Sequence, residues 1–336
     1  MPFSFQTQGY EDMELSTQVV LAEALRRGVS IEILDRKENF IRLTRDGHTE
    51  LVKDATRTSK DSYITSLVLG NKSVSKILLE EVGIRVPKGA AYDTRQAALL
   101  GMDLFVGRKI VVKPKTTNFG IGIGILEPEF APVDYEKAVG DAFEHDRSIV
   151  VEEFLEGIEC RFLVVAGKCV AVLHRVPANV VGDGQSSVQD LVAIKNQDPR
   201  RGVGHITPLE KIQLSEAELG VLSKQGLTPS SVPAEGQRIF LRENSNISTG
   251  GDSLDYTHKV HDQYLRIAER AAEAASAHIC GVDVILENPN EEPTSENHGI
   301  IEINFNPVLY FHDFPYEGEN HHVENAVLDL LGFPSL

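Results

Sequence analysis

Apolar positions in the first third of the chain repeat with two periods. Between residues 11 and 27, Met13, Leu15, Val19, Val20, Leu21, Ala24 and Leu25 fall at helical spacing, and Gly28 suits the end of that helix. A strand is predicted in "SIEILD", and "NFIRLTRDGHTELVK" alternates on both sides of Asp46-Gly47, a dipeptide that tolerates the positive φ of a tight hairpin. Two helices are predicted through "SYITSLVLG" and "NKSVSKILLEEVG", the second stopped by Pro87.

From Lys109 the pattern changes to short apolar runs punctuated by glycine. Strands "KIVVKP" and "IGIGILEP" flank "KTTNFG", a helix is expected over about 132–145, and "SIVVEEF" returns as a strand. "ECRFLVVAGKCVAVLHRVPANV" reads as a hairpin turning at Ala166-Gly167-Lys168, and the polar region Gly182 to Gly236 as loops with two helices. An alanine-rich helix, about Tyr264 to Ala277, precedes the strand "GVDVILE"; the solvated loop "NPNEEPTSENHG" leads to "IIEINFNP", and "VENAVLDLLG" closes the chain as a helix. The order is α/β with antiparallel pairs and without internal repeats.

At 336 residues the chain exceeds one average core, so two or three packed subdomains are expected. Its 50 acidic against 33 basic side chains, net −17, argue against nucleic acid as a partner but leave room for a small anionic ligand in a locally cationic cleft. Cys160, Cys169 and Cys280 are too few and too irregular for a disulfide framework or a zinc site, and a reducing compartment is expected. No run has the length of a membrane span and the first residues lack a signal-peptide pattern, so the expectation is a soluble cytoplasmic protein with no membrane partner. His258 and His261 are expected on one helical face, His321 and His322 are adjacent, and all four read as surface residues rather than metal ligands. Cys280 reads as a small buried residue.

"GIGIG" at 120–124 lies between strands and does not match GxGxxG, and GxxxxGK[ST] is absent. Any nucleotide site here needs another design. Lys113 alone is a strand-end lysine that can reach solvent, but the adjoining "TTNFGIGIG" can present successive backbone N–H groups to phosphate. Glu152, Glu153 and Glu156 end a strand either as a charged connector or as acceptors for a purine amine and ribose hydroxyls. "LRENSNISTGG" is a polar turn or, through Arg242, Asn244 and the glycines, a holder of transferred phosphate. Asp283 and Glu302 each interrupt an apolar strand, and with Asn304 they offer hard oxygen ligands for magnesium; two such acids favour the metal over a strand-ending turn.

Assembled, "GYEDMELSTQ", "TSKDSYITSLVLGNKSVSK", "VVKPKTTNFGIGIGI", "HRVPANVVGDG", "NQDPRRGVGHITPLEKI", "LRENSNISTGGDS", "ICGVDVI" and "IIEINFNP" resemble the ATP-grasp superfamily, and more closely the ATP-grasp half of bifunctional glutamate-cysteine ligase/glutathione synthetase. "VGDG", "DPRRGVGH" and "STGG" are also similar to the ATP-grasp part of cyanophycin synthetase. The resemblance implies an α+β ATP-grasp fold in which two subdomains hold ATP between antiparallel sheets. It implies a short N-terminal segment at 1–70, an N-terminal subdomain with a glycine-rich lid at 71–155, and a C-terminal subdomain with the metal site at 156–336.

By the same resemblance Lys72 and Lys113 contact ATP phosphates, with Lys115, Asn118 and Gly120 in the same nucleotide site. Glu152, Glu153 and Leu155 fall at the adenine hinge and Glu159 at the ribose; Asp283, Glu302 and Asn304 hold Mg2+, with Mn2+ as a substitute. Arg161, Arg175, Arg242, Asn244, Gly250 and Gly251 surround the substrate and its acyl phosphate, with Arg242, Lys113 and Asn304 as the catalytic set. In the D-alanine ligase branch an arginine lies two residues before the first metal acid; Gly281 stands there, and Arg242 is expected to supply the charge. The resemblance implies an ATP-dependent carboxylate-amine ligase joining γ-glutamylcysteine to glycine, with a homodimer expected by analogy. Another amino-acid or peptide ligase is the alternative, and a non-catalytic nucleotide-binding module is the third. The match starts at the head of the chain, so the first step of glutathione synthesis is not expected of it; a free-standing enzyme and an excised half both stay open.

Overall fold

Short polar side chains start the first helices. Glu14 accepts from the Thr17 N–H at the head of α1 (Leu15–Arg26), Ser62 from Thr65 in α2 (Tyr63–Leu69), and Asn71 from Ser73 and Val74 in α3 (Lys72–Glu81). The structure, a computed structural model, describes residues 5–115 and 122–335. Strands β1 (Ser30–Asp35), β2 (Phe40–Arg45) and β3 (His48–Lys53) form an antiparallel sheet, and the β2–β3 turn holds Asp46 and Gly47 at φ 51° and 81°.

A second sheet follows, from β4 (Gly89–Tyr92), α4 (Arg95–Leu100), β5 (Ile110–Pro114), β6 (Gly124–Leu126), α5 (Pro132–His145) and β7 (Ile149–Glu153), in strand order β4-β7-β5-β6. The sequence pattern did not predict β4 and α4, because "GAAY" and "RQAALL" are short and alanine-rich and show little polar contrast. Alternation gives this sheet two different faces. Ile110, Val112, Ile149 and Val151 are buried against Tyr135, Val139 and Ala142 of α5, while Val111, Lys113, Val150 and Glu152 lie on the opposite face.

The remainder comprises β8 (Ile158–Val165), β9 (Lys168–Val176), β10 (Asn179–Val181), α6 (Val188–Lys195), β11 (Arg201–Gly202), β12 (Leu209–Glu210), α7 (Glu216–Lys224), β13 (Arg238–Phe240), β14 (Asp252–Asp255), α8 (Asp262–Ala274), β15 (Ile279–Leu286), β16 (His298–Phe305), α9 (Tyr310–Asp313) and α10 (Glu324–Leu330). Its main sheet is antiparallel, in order β14-β9-β8-β15-β16. One face packs Phe162, Val164, Cys280, Val282 and Val284 against the alanines of α8. On the other, Leu163, Val165, Ala171 and Ile279 share a core with α1, the first sheet and α10. The rest of that face carries Arg161, Gly281, Asp283, Glu302 and Asn304.

The cores cross the boundary expected at residue 70. Met13, Val20, Leu21, Ile41 and Leu43 share apolar packing with Val327, Leu328 and Phe333 near the end of the chain. Leu69, Leu79, Ile84 and Val86 all join the core of the five-stranded sheet. The alanine-rich helix begins at Asp262, so His261 caps it, its ring accepting from the Gln263 N–H at 3.3 Å, and His258 precedes it; the two do not share a helical face. His258 and His322 are exposed as expected, whereas the His321 side chain is 13% exposed and its ring pairs with Asp255 at 2.9 Å. Among the described residues no helix is long and apolar enough to cross a membrane.

Candidate active site

Strand β15 lies between β8 and β16, and its register sets Asp283 opposite both Arg161 and Glu302, and Gly281 opposite Asn304. Alternation leaves all five on one face. Asp283 is fully buried and accepts from Nε and Nη2 of Arg161 at 2.7 and 2.6 Å, from Nη2 of Arg175 at 2.9 Å and from Nδ2 of Asn304 at 3.0 Å. Burial pushes its carboxyl up, but the two guanidiniums outweigh burial and hold it below the usual carboxylate range. A Cβ at Gly281 would stand 3.3 Å from Cδ of Arg161 and 3.4 Å from its Nε. The missing side chain therefore lets Arg161 lie across β15. This corrects one expectation: the charge beside the first acid comes from Arg161 and Arg175, while Nε of Arg242 donates to Glu218 at 2.6 Å.

"IIEINFNP" divides its two amides between two roles. Asn306 takes the turn at φ 59°, its Oδ1 accepting from Thr56, whereas Asn304 stays in the strand and donates to Asp283. Beside it, Glu302 pairs with Lys72 at 2.9 Å. Lys72, Lys115, Arg57, Glu302 and Asn304 line a cleft of about 340 Å³, with Lys115 arriving from just beyond β5 and Glu302 from β16. Oxygens of one sheet thus face ammonium groups across a shared space.

The open face of the four-stranded sheet supplies the second half. Glu152 is 1% exposed, opposite Gly89 and Val111, and each of its oxygens takes one ammonium, from Lys113 of β5 and from Lys76 of α3. Burial raises its pKa, and the two lysines outweigh burial and lower it. Lys76 was not singled out from sequence. Its signal was available, since Lys72 and Lys76 are one turn apart on the same helical face. α3 thus pairs with a carboxylate on each sheet.

Other expected residues scatter around this centre. Glu153 accepts from the Lys88 backbone N–H at 3.0 Å and from Arg85 at 3.3 Å, and Leu155 packs where a Cβ at Gly299 would otherwise stand. Glu159 joins Arg175 and the Ser245 hydroxyl. Asn244 accepts from Thr249 at 3.2 Å. Gly250 has φ 93°, and a Cβ on Gly251 would lie 2.8 Å from the carbonyls of Asn246 and Val176, so both glycines are required by the backbone itself. Asn118 and Gly120 lie outside the described residues.

Among the described residues no group of three or more His, Cys, Asp or Glu is arranged to hold a metal. The donor set is nevertheless suited to magnesium, which takes one or two carboxylates and completes its shell with phosphate and water. Glu302 is a quarter exposed toward the cleft and Asn304 adjoins it.

Two facing sheets with a lysine- and carboxylate-lined cleft between them form the ATP-grasp fold, and the chain belongs to the ATP-grasp superfamily. A family model for an ATP-grasp-like domain matches residues 11–64. Within the superfamily the chain is homologous to the bifunctional proteins of glutathione biosynthesis. It is 53% identical over 327 residues to the glutathione biosynthesis bifunctional protein GshAB of Clostridium perfringens, covering 97% of this chain and 42% of that protein. Identity to the corresponding protein of Streptococcus agalactiae serotype V is 45% over 334 residues, 99% of this chain and 44% of that one. The crystal structure of a bifunctional glutathione synthetase from Pasteurella multocida is similar with a TM-score of 0.81 and 42% identity, over 98% of this chain and 45% of that chain. The chain spans less than half the length of each of these relatives.

Proposed function

We propose that the chain is a glutathione synthetase: it joins γ-glutamylcysteine to glycine and converts ATP to ADP and phosphate. The observation that carries this reading is the single sheet face on which Asp283 lies buried behind Glu302 and Asn304, the two residues of that face that line a cleft shared with Lys72 and Lys115. The choice of substrates rests on the similarity to the glutathione biosynthesis proteins. A cytoplasmic homodimer, and magnesium with manganese as its substitute, belong to the same proposal.

In this reading the cysteinyl carboxylate oxygen attacks the γ-phosphorus of ATP, the bond to the β-phosphate oxygen breaks, and ADP leaves. The amine of glycine then attacks the acyl carbon, phosphate departs and the nitrogen loses a proton. Phosphoryl transfer asks mainly for alignment and charge compensation, which matches a site rich in cations. Lys72, Lys113 and Lys115 hold the phosphates, Glu152 accepts from the adenine amine, the backbone at 153–155 meets the ring edge, and Glu159 takes the ribose. Arg242, Asn244, Gly250 and Gly251 hold the acyl phosphate, and Arg161 and Arg175 keep Asp283 ionised. Asp283, Glu302 and Asn304 would hold magnesium, which supplies charge neutralisation on the phosphoryl oxygens.

The test is ADP release with γ-glutamylcysteine and glycine, run against aspartate, arginine and short peptides as acceptors. Glycine is expected to support turnover best, and Asp283→Ala or Glu302→Ala to lower it by about 100-fold or more. Turnover with another acceptor and none with glycine overturns the substrate assignment; near-normal rates in both variants overturn the site.

A further inference from the structure

We infer that Lys76 is a positioning residue that holds the Glu152 carboxylate as a permanent acceptor and thereby makes the nucleotide site select a 6-amino purine over a 6-keto purine. The inference rests on the proposal that Glu152 reads the exocyclic amine of adenine.

The geometry separates the two lysines on Glu152. Lys113 stands one strand away on the same open sheet face, at the end of β5 and two residues before the cleft-lining Lys115. Lys76 comes from α3, which packs on the other lobe and is anchored there by the Lys72–Glu302 pair at 2.9 Å. Four residues of helix rise about 6 Å, so the two pairings stand one turn apart on a rigid element. Gly89 completes the seat: a Cβ there would lie 2.5 Å from Cβ of Glu152 and 2.3 Å from the Val151 carbonyl. The carboxylate is therefore gripped from a second lobe, and the missing side chain at Gly89 lets β4 lie close against the backbone and Cβ of Glu152.

Lys113 has a competing task. In the proposed reaction it serves the phosphates, and each step toward them weakens its hold on Glu152. A buried carboxylate left without a cation takes up a proton, because burial penalises its charged form. An ionised carboxylate only accepts; a protonated one also donates. The ionised form pairs with an amine at position 6 of the purine and repels a keto oxygen, whereas the protonated form can donate to that oxygen. Lys76 is free of phosphate duty in this scheme and keeps Glu152 in the accepting form throughout the cycle. Its own ammonium is disfavoured by burial and by Lys113 and Lys72 nearby, and Glu152 is the partner that favours it.

The experiment compares kcat/KM for ATP, ITP and GTP, from pH 6 to 9, in the full chain and in Lys76→Met, Lys76→Arg and Glu152→Gln. Lys76→Met is expected to raise KM for ATP with a smaller effect on kcat, and to narrow the ATP/ITP preference about tenfold, with the narrowed ratio depending on pH. Lys76→Arg should keep the preference, and Glu152→Gln, whose amide both donates and accepts, should lose it. If Lys76→Met does not fold, Lys76→Gln and equilibrium dialysis of ATP against ITP give the same ratio. A wild-type preference in the Lys76 variants together with a narrowed one in Glu152→Gln overturns the role of Lys76 and leaves base reading by Glu152 intact. An unchanged preference in Glu152→Gln overturns both.

Discussion

At Gly281 a Cβ would stand 3.3 Å from Cδ of Arg161 and from Cβ of Pro307, so the space two residues before Asp283 is already taken by an arginine from the neighbouring strand. β15 itself carries no cation, and the cation is supplied across the sheet at register position 161. Arg161 grips Asp283 with two parallel bonds, geometry that a guanidinium has and a point charge lacks. Arg161→Met should destabilise the fold by about 3 kcal/mol in urea denaturation, since a buried carboxylate then keeps Arg175 as its one charged partner, beside the Asn304 amide. Asp283 has a depressed folded pKa, so its stabilising effect is present above the ordinary carboxylate pKa and is lost as pH falls through the folded value. In Arg161→Met that acid loss should start at higher pH; an unchanged acid limb refutes the account.

At the scale of elements, α9 and α10 bring Asp313 and Glu324 together in the interior. Asp313 is 3% exposed and Glu324 7%, Oδ1 of Asp313 accepts from the Val323 N–H at 3.1 Å, and Oδ2 of Asp313 and Oε2 of Glu324 have no hydrogen-bond partner among the described residues. Burial first, and the neighbouring carboxylate second, push Asp313 up to about 8. A raised acid binds more protons folded than unfolded, so its contribution is fully present below about pH 4 and is lost as pH rises toward 8. Asp313→Asn should remove that slope, and urea midpoints at pH 5, 7 and 9 would show wild type losing stability relative to the variant. A relative gain by wild type with rising pH contradicts the assignment. From sequence this pair was invisible: "FHDFPYEGENHHVEN" offers no period, and ten residues of loop hide the proximity. The longer strands and helices were legible because their apolar period persists for several residues; β4, with four residues, was not.

For the whole molecule, the main surprise is how the ends of the chain meet. Arg27, 2% exposed, donates to Glu23 at 2.7 Å, Asp329 at 2.5 Å, the Phe333 carbonyl at 2.6 Å and the Asn325 amide oxygen at 2.6 Å. Leu163, Val165, Ala171 and Ile279 of the five-stranded sheet sit beneath the same unit. A fragment starting at residue 71 uncovers those side chains, and it should be recovered as an insoluble or dye-binding species rather than a cooperatively folding one. A soluble fragment with a single sharp unfolding transition would show that the first seventy residues are an appendage. The expectation of a short N-terminal segment at 1–70 came from the family resemblance, and motif matching along the chain carries no information about which distant strand an apolar face covers.

What the sequence determined by itself was chemistry and local form. The oxygen donors of Asp283, Glu302 and Asn304, the lysine at 113, the glycines at 250 and 251, and the longer strands and helices that carry them stand out by residue type and short-range period, whereas Lys72 was reached only through the family resemblance. The tertiary structure decided pairing. It placed Arg161 rather than Arg242 on Asp283, Lys76 beside Lys113 on Glu152, and the end of the chain against its beginning. The reason is physical: a charge buried away from water must find a counter-charge in space, and the partner that packing brings within reach is set by strand register and lobe contact, not by distance along the chain.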